Sequence, residues 1–343
     1  MATYKIYKLH FTAPLHISDQ HEDLGNSQKV IQSDTLYAAL ISCLAKKGEI
    51  MPEDGDLGFT VSSLFPYFQK EKDSAPVYFL PIPMQAKQAD LADVSMAKKV
   101  KKVQWVDSNL YSSVLSGDSL FDGTDSYIPY IQGNYLTTNE LPEDINGSKE
   151  FVRSEVSQRV TLKSRTGEED AKPFYVDKIL FRYDTGLYFI AEGDTTLLEK
   201  ALQILSMEGI GTDRNVGYGF FEFTADTLSI DLPENANHQL SLSLLIPESK
   251  EQLEMLLNSE RVAYDFVRRG GWITTFPYMT LRKNAIYGFL PGSVFRKDEG
   301  MAATVIGKIV DLKPENVDVE ISHHIWRNGK AIMLPINVKR YGR

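Results

Sequence analysis

Apolar residues change period several times along the chain, and each change marks an element. From Tyr4 to Phe11 the pattern alternates with period two, which predicts a strand ended by Pro14-Leu15-His16-Ile17-Ser18. A polar, glycine-containing loop from Asp19 to Gln32 follows. Ser33 then has the chemistry of an N-cap, with Asp34 in the first turn. Leu36, Ala39, Leu40, Cys43 and Leu44 form the apolar stripe of a helix that Gly48 stops. Val77-Tyr78-Phe79-Leu80, before Pro81, reads as the next strand, so the chain opens β-α-β. Between about Pro81 and Lys178 the periodicity weakens. Aromatics are scattered there at Trp105, Tyr111, Phe121, Tyr127, Tyr130 and Tyr135, and the cations Arg153, Arg159, Lys163, Arg165 and Lys172 gather towards its end. So long an irregular stretch in a compact domain is usually functional or partly disordered.

Strand character resumes at Ile179–Tyr183 and Leu187–Ala191, around a turn at Asp184-Thr185-Gly186. Thr196-Leu197-Leu198-Glu199 reads as a capping box, and Leu197, Leu198, Ala201, Leu202 and Leu205 recur at helical spacing up to Gly209, a C′ glycine. Phe220, Phe221 and Phe223 then predict a strand. With the irregular stretch set aside, the order is β-α-β…β-α-β, a ferredoxin-like or RRM-like split βαβ. A second unit begins near Asn237. Leu240–Ile246 reads as a strand and Glu248–Leu257 as a helix. Val262–Ile273 reads as a strand broken by Arg268-Arg269-Gly270-Gly271, and a β-rich tail runs from Ile321 to Val338. The predicted fold class is α+β: tandem ferredoxin-like units over 1–236 and 237–343, with a long insertion at about 81–178 in the first.

The densest punctuation lies at 209–219, where Gly209, Gly211, Gly217 and Gly219 frame Arg214 and Tyr218. A dinucleotide fingerprint or P-loop needs a strand before its glycines and a helix after them. Here the order is helix, glycines, strand, so the helix presents its C-terminus, which repels anions. A phosphate at this bend would rely on loop amides and Arg214. The plainer reading is a connection that turns a corner.

Composition narrows the field. A 343-residue chain with 43% hydrophobic residues has room for two cores. No apolar run approaches the roughly 20 residues that span a bilayer, and Met1–Lys8 has no hydrophobic signal core. The one cysteine, Cys43, lies in an apolar helical stripe, as a structural thiol would. The expectation is a soluble, cytoplasmic protein. Net charge is −9, yet Glu260–Arg343 carries 14 Lys/Arg against 8 Asp/Glu, leaving −15 on the remainder. The last third is basic within an acidic chain. Lys98-Lys99-Val100-Lys101-Lys102, followed by Trp105, is a second cationic cluster.

Several motifs in order carry a resemblance. His16-Ile17-Ser18 followed by Ser33-Asp34-Thr35-Leu36-Tyr37-Ala38-Ala39-Leu40 resembles the opening of the RAMP superfamily, and the 209–219 stretch is similar to its signature loop. Arg269-Gly270-Gly271-Trp272, Leu290-Pro291-Gly292-Ser293-Val294-Phe295 and Arg340-Tyr341-Gly342 resemble the branch forming the fourth subunit of the Csm (type III-A CRISPR) effector complex. The resemblance implies a non-catalytic subunit in antiviral defence, with no metal and no cofactor, that grips the 5′ repeat handle of the CRISPR RNA. It would sit between the large polymerase-like subunit and the backbone subunits, meeting target RNA indirectly and no membrane. A thumb-like hairpin is implied within the insertion. Carried over by position, Gly209, Gly211, Arg214, Gly217, Tyr218 and Gly219 are RNA-contacting candidates, with His16 and Ser18 on the facing loop. Thr212 departs from the branch, which often has glycine there.

Single-stranded RNA is held by backbone electrostatics, amides and stacking, which suits these residue types. Arg214 would pair with a phosphate, while Tyr218 would either stack on a base or pack as a core aromatic. Arg165, on an exposed turn, and Arg268, Arg269 and Arg282 offer further phosphate contacts or a rim for protein partners. The alternative is an enzyme: a metal-independent RAMP endoribonuclease processing precursor CRISPR RNA, with His16 as general base beside Lys163 or Arg165. His323 and His324 are adjacent, so in a strand they point to opposite faces and share a metal poorly.

Overall fold

The computed structural model describes residues 1–17, 27–71, 73–87, 94–118, 130–143, 149–160, 173–297, 304–315 and 317–338. β1 (Ala2–Phe11), α1 (Ser33–Lys46), β2 (Phe59–Val61), β3 (Phe65–Phe68) and β4 (Val77–Pro81) come first. α2 (Val94–Lys102), β5 (Trp105–Asp107), α3 (Tyr111–Leu115), β6 (Ile131–Gln132), β7 (Tyr135–Leu136), β8 (Val152–Val160) and β9 (Pro173–Phe181) follow. β10 (Thr185–Gly193), α4 (Thr196–Glu208) and β11 (Phe221–Ile230) complete the N-terminal part. The C-terminal part runs through β12 (His238–Ser241), α5 (Lys250–Leu257), β13 (Phe266–Arg269), β14 (Ile286–Phe289) and β15 (Val294–Arg296). It ends with β16 (Val305–Ile306), β17 (Ile309–Asp311), β18 (Trp326–Asn328) and β19 (Ala331–Ile336).

β1 is the centre of the main sheet, antiparallel to β10 on one side and to β11 on the other. The sheet order is β11-β1-β10-β3, extended by β4-β5-β7-β6, with β2 on the far end of β10. The period-two alternation of β1 explains its position. Tyr7, Leu9 and Phe11 point to the face covered by α1 and α4, where they meet Leu36, Leu40, Leu44, Leu198, Leu202 and Leu205. Tyr4 and Ile6 point to the other face. That second face is not left to solvent. It packs with Leu240, Leu242, Val294, Ile332, Leu334 and Ile336 of the C-terminal sheet, so the two parts share one core. The C-terminal sheet runs β15-β12-β19-β16, an order different from that of the first unit. Among the described residues α5 is its one helix. The second part therefore shares the β-α opening of the first and not its strand order.

The stretch from 81 to 178 is more regular than its sequence pattern. It continues the main sheet through short strands and buries Val100, Val103, Val106, Tyr111, Val114, Leu115, Tyr135 and Leu136. Strands of two or three residues show too little alternation to be read. On α2, Val100 is buried while Lys98, Lys99, Lys101 and Lys102 are exposed, three of them in the last turn, where the helix dipole favours cations.

Two caps differ from expectation, and both differences come from cross-element bonds. Ser33 is the first residue of α1; its hydroxyl accepts from the Leu244 amide at 2.8 Å, joining the helix to the C-terminal part. The capping box on α4 does not form. Asp194 accepts from the Thr196 amide at 2.9 Å, while Glu199 accepts from Lys5 Nζ and the Tyr7 hydroxyl, each at 2.7 Å.

The strongest joint between the two parts lies at Asp34, which is fully buried. Its carboxylate accepts from Arg269 Nε at 2.7 Å and Nη2 at 2.9 Å, a bidentate fork, and from Arg327 Nη1 at 2.6 Å. Burial pushes the carboxyl pKa up, but Arg327 and Arg269 outweigh it and hold the group below its usual range. Asp34→Ala is expected to cost about 3–5 kcal/mol, because it leaves two buried guanidiniums without their counter-charge. Urea unfolding of the purified variant checks this, and a loss below about 1 kcal/mol would show that the pair is dispensable.

Candidate nucleic-acid interface

The glycine bend leaves α4 at Gly209 and returns to the sheet at Phe221. Gly209, Gly211, Gly217 and Gly219 all have positive φ, between 77° and 95°, and Asp213 is left-handed at 59°. For three of the glycines the requirement is close packing. A side chain at Gly209 would meet the Tyr218 carbonyl, one at Gly211 the His16 carbonyl, and one at Gly219 the backbone of Ile210. Gly217 faces open space. The bend is therefore stitched to itself and to the end of β1. The Ile210 amide donates to Gly219 at 3.0 Å, Thr212 to His16 at 3.0 Å and Gly219 to Pro14 at 2.7 Å. The Thr212 hydroxyl also donates to the His16 carbonyl at 3.3 Å.

This corrects the view of the whole bend as an amide cradle: most of its N–H groups are already used within the protein. The exceptions are Gly211 and the tip. Among the described residues the amides of Asp213, Arg214 and Asn215 have no acceptor, and exposed Arg214 has no hydrogen-bonded or ion-paired partner. A short 3-10 turn, Arg214–Val216, carries them outward.

The hairpin of β8 and β9 reaches this tip. Its register brings Val160 opposite Pro173, and Arg159 extends from it to Asp213 at 2.7 Å and to the Tyr218 hydroxyl at 2.8 Å. The Arg159 guanidinium also lies over the Tyr218 ring, 5.2 Å from its centroid. Tyr218 is thus neither a free platform nor a core aromatic; it is half-buried, with an arginine on one face. Arg159 was missed as a site residue. The polar alternation Glu155-Ser157-Arg159 could have flagged it as one face of a strand.

Other candidates separate. His16 is fully buried, its Nδ1 2.5 Å from the Asp177 carbonyl oxygen, so its imidazole faces the interior and only its carbonyl serves the bend. Ser18, Arg165, Lys163 and Arg340-Tyr341-Gly342 lie outside the described residues. Arg269 is consumed by Asp34 and is not free for phosphate. Arg268 is exposed, and Arg282 is exposed over the Trp272 ring at 4.7 Å, on the β13–β14 side of the molecule. His323 pairs with Thr275 and His324 with Asp311, so the two diverge. Among the described residues no group of three or more His, Cys, Asp or Glu is placed to hold a metal ion. No helix among them is long and apolar enough to cross a membrane.

Comparison with known proteins gives this geometry a lineage. Residues 234–336 match the CRISPR Csm4 C-terminal domain. The chain is 24% identical to a CRISPR Csm4 protein of Streptococcus thermophilus, over 98% of this chain and 100% of that one. It is 27% identical to that of Methanocaldococcus jannaschii, over 55% of this chain and 56% of the relative. A Csm1–Csm4 cassette superposes with a TM-score of 0.55 at 17% identity, over 98% of this chain and 99% of the other. A Csm3–Csm4 subcomplex of the type III-A CRISPR-Cas interference complex gives 0.55 at 18%, over 97% and 99%. At such identities the superpositions establish the α+β fold alone. Together with the sequence matches they define the class: a subunit of a type III CRISPR effector complex. Within that class the likeness is to Csm4: residues 234–336 fit the Csm4 C-terminal domain, and the curated relatives named above are Csm4 proteins.

The bend makes a graded prediction. Gly217→Ala is expected to cost only the positive-φ penalty, about 1 kcal/mol. Gly219→Ala adds overlap with Ile210 and is expected to cost about 3 kcal/mol or more. Denaturant unfolding of the two variants gives the ranking, and equal losses would mean that the bend does not hold its packing in solution.

Proposed function

We propose that this chain is the RNA-gripping, non-catalytic subunit of a type III-A interference complex, holding the 5′ repeat handle of the CRISPR RNA in cytoplasmic antiviral defence. The observation that carries it is the tip of the glycine bend. Arg214 stands exposed beside three amides without acceptors, and the β8–β9 hairpin is fastened alongside by Arg159. A phosphodiester supplies the charge and acceptors that this tip lacks, and the hairpin beside it would act as the thumb. The relatives' company supports a bridging position, since solved Csm4 assemblies contain Csm1 and Csm3. The acidic N-terminal part and basic last third would then meet partners of opposite charge. The finer fold reading is a ferredoxin-like first unit, matching the strand order β11-β1-β10-β3, and a second unit derived from the same plan.

An endoribonuclease reading has less support. Its proposed base, His16, is buried against Asp177, out of reach of a 2′-hydroxyl at the surface. The test uses the assembled complex. Arg214→Ala with Tyr218→Ala is expected to reduce co-purified CRISPR RNA by about tenfold while the protein subunits remain associated. Retention at the wild-type level would sink the handle reading.

A further inference from the structure

A second concave site lies away from the solvent-facing tip, between α1 and the C-terminal part. It is a half-open cleft of about 470 Å³, within the range of about 300–1,000 Å³ usual for small-molecule sites. Ala38 and Ile41 of α1 form one wall, and Ile273 and Ile325 belong to the C-terminal part opposite. Hydroxyls of Ser42, Thr274 and Thr275 interrupt the apolar lining. The cationic end is the Asp34 joint seen from the cleft, because Arg327 and Lys283 both line it.

The charge balance of this end is uneven. Among the described residues one carboxylate, Asp34, faces Arg269, Arg327 and Lys283. Arg327 is more than nine-tenths buried, and its Nε finds no acceptor. The Lys283 amine has no hydrogen-bonded or ion-paired partner among the described residues. Burial, with Arg327 and Arg269 adding repulsion against the pull of Asp34, lowers its pKa to about 8. Lys283 is partly buried, and holding a cation there beside two arginines without an acceptor of its own is costly. An anion with several acceptors would balance this end. The volume and the apolar, hydroxyl-dotted walls call for an anion attached to a flat or apolar body.

We propose that this cleft is a nucleotide-binding site, taking a nucleoside phosphate with its phosphate on Lys283 and Arg327 and its base against the Ile41, Ile273 and Ile325 walls. The unit is either a free mononucleotide or one residue of an RNA strand. The rim supplies Lys46 and exposed Glu53, and His323 and His324 line the side, His324 already held by Asp311 at 2.7 Å. Glu53 is the one carboxylate among the described lining residues, and Glu208 adds a second at the rim through its pair with Lys46. The site stands whether or not the glycine bend meets RNA.

The test is calorimetric titration of the full chain with AMP, UMP, inorganic phosphate and a short single-stranded RNA. Either mononucleotide, the RNA, or both are expected to bind, with phosphate alone weaker. Lys283→Met is expected to weaken that binding by about tenfold or more. Ala45→Trp, on an exposed position at the mouth, should do the same without touching the charged end. Arg214→Ala with Tyr218→Ala should leave mononucleotide binding unchanged, which separates this site from the bend. Because the anion needs the protonated amine, affinity is expected to fall by about tenfold per pH unit above about pH 8. RNA binding sensitive to Lys283→Met without mononucleotide binding assigns the site to a strand; mononucleotide binding assigns it to free ligand. Phosphate binding as tightly as the nucleotides, or no ligand responding to either cleft variant, overturns the proposal.

Discussion

A single buried carboxylate orients the two parts of the molecule on one another. Asp34 sits at the start of α1, on the helix face of the main sheet, while Arg269 and Arg327 come from separate strands of the C-terminal part. The helix N-terminus adds a little to the stability of the charge there. The two arginines do most of it, because in a low-dielectric site close opposite charges interact strongly and a lone one is heavily penalised. With the Ser33 hydroxyl receiving the Leu244 amide one residue earlier, the first turn of α1 becomes the hinge pin of the whole chain. The shared apolar cluster below the sheet then has a defined orientation to pack in.

From that joint the chain's remaining surfaces follow. The end of α1 carries Cys43 and Lys46, and Lys46 pairs with Glu208 at the end of α4. The glycine bend begins at the next residue, so its exit direction is set by how α4 packs against α1. Tight backbone packing uses most of the bend's amides, and those left without an acceptor among the described residues are Gly211 and the three residues at the tip. A binding loop built in this way is rigid at its base and sparing with its donors, which lowers the entropy lost when a ligand arrives. The hairpin arginine braces the same tip from outside through Asp213 and Tyr218.

Charge is divided between structure and surface in a way that counting alone misses. Of the cations in the basic last third, Arg269 and Arg327 are absorbed in the joint, and Lys283 lies partly buried beside them. Arg268 and Arg282 remain at the surface. The basic third is therefore partly an internal counterweight to Asp34.

Elements whose patterns are local were legible from sequence alone. β1 alternated, α1 and α4 carried their apolar stripes, and the glycines at 209–219 announced a bend between helix and strand, because periodicity and positive-φ demand are written in neighbouring residues. The family resemblance was legible too, through short motifs in a fixed order. Tertiary structure alone decided which polar side chains were spent internally. Ser33 and Glu199 looked like caps and became ties between elements, His16 looked accessible and is buried, and Arg269 looked like a phosphate contact and is Asp34's partner. Arg159 looked like one cation among several in an irregular stretch, yet it braces the bend. In each case the deciding partner lies more than 25 residues away in the chain, and pairing at that range depends on packing that no local pattern encodes.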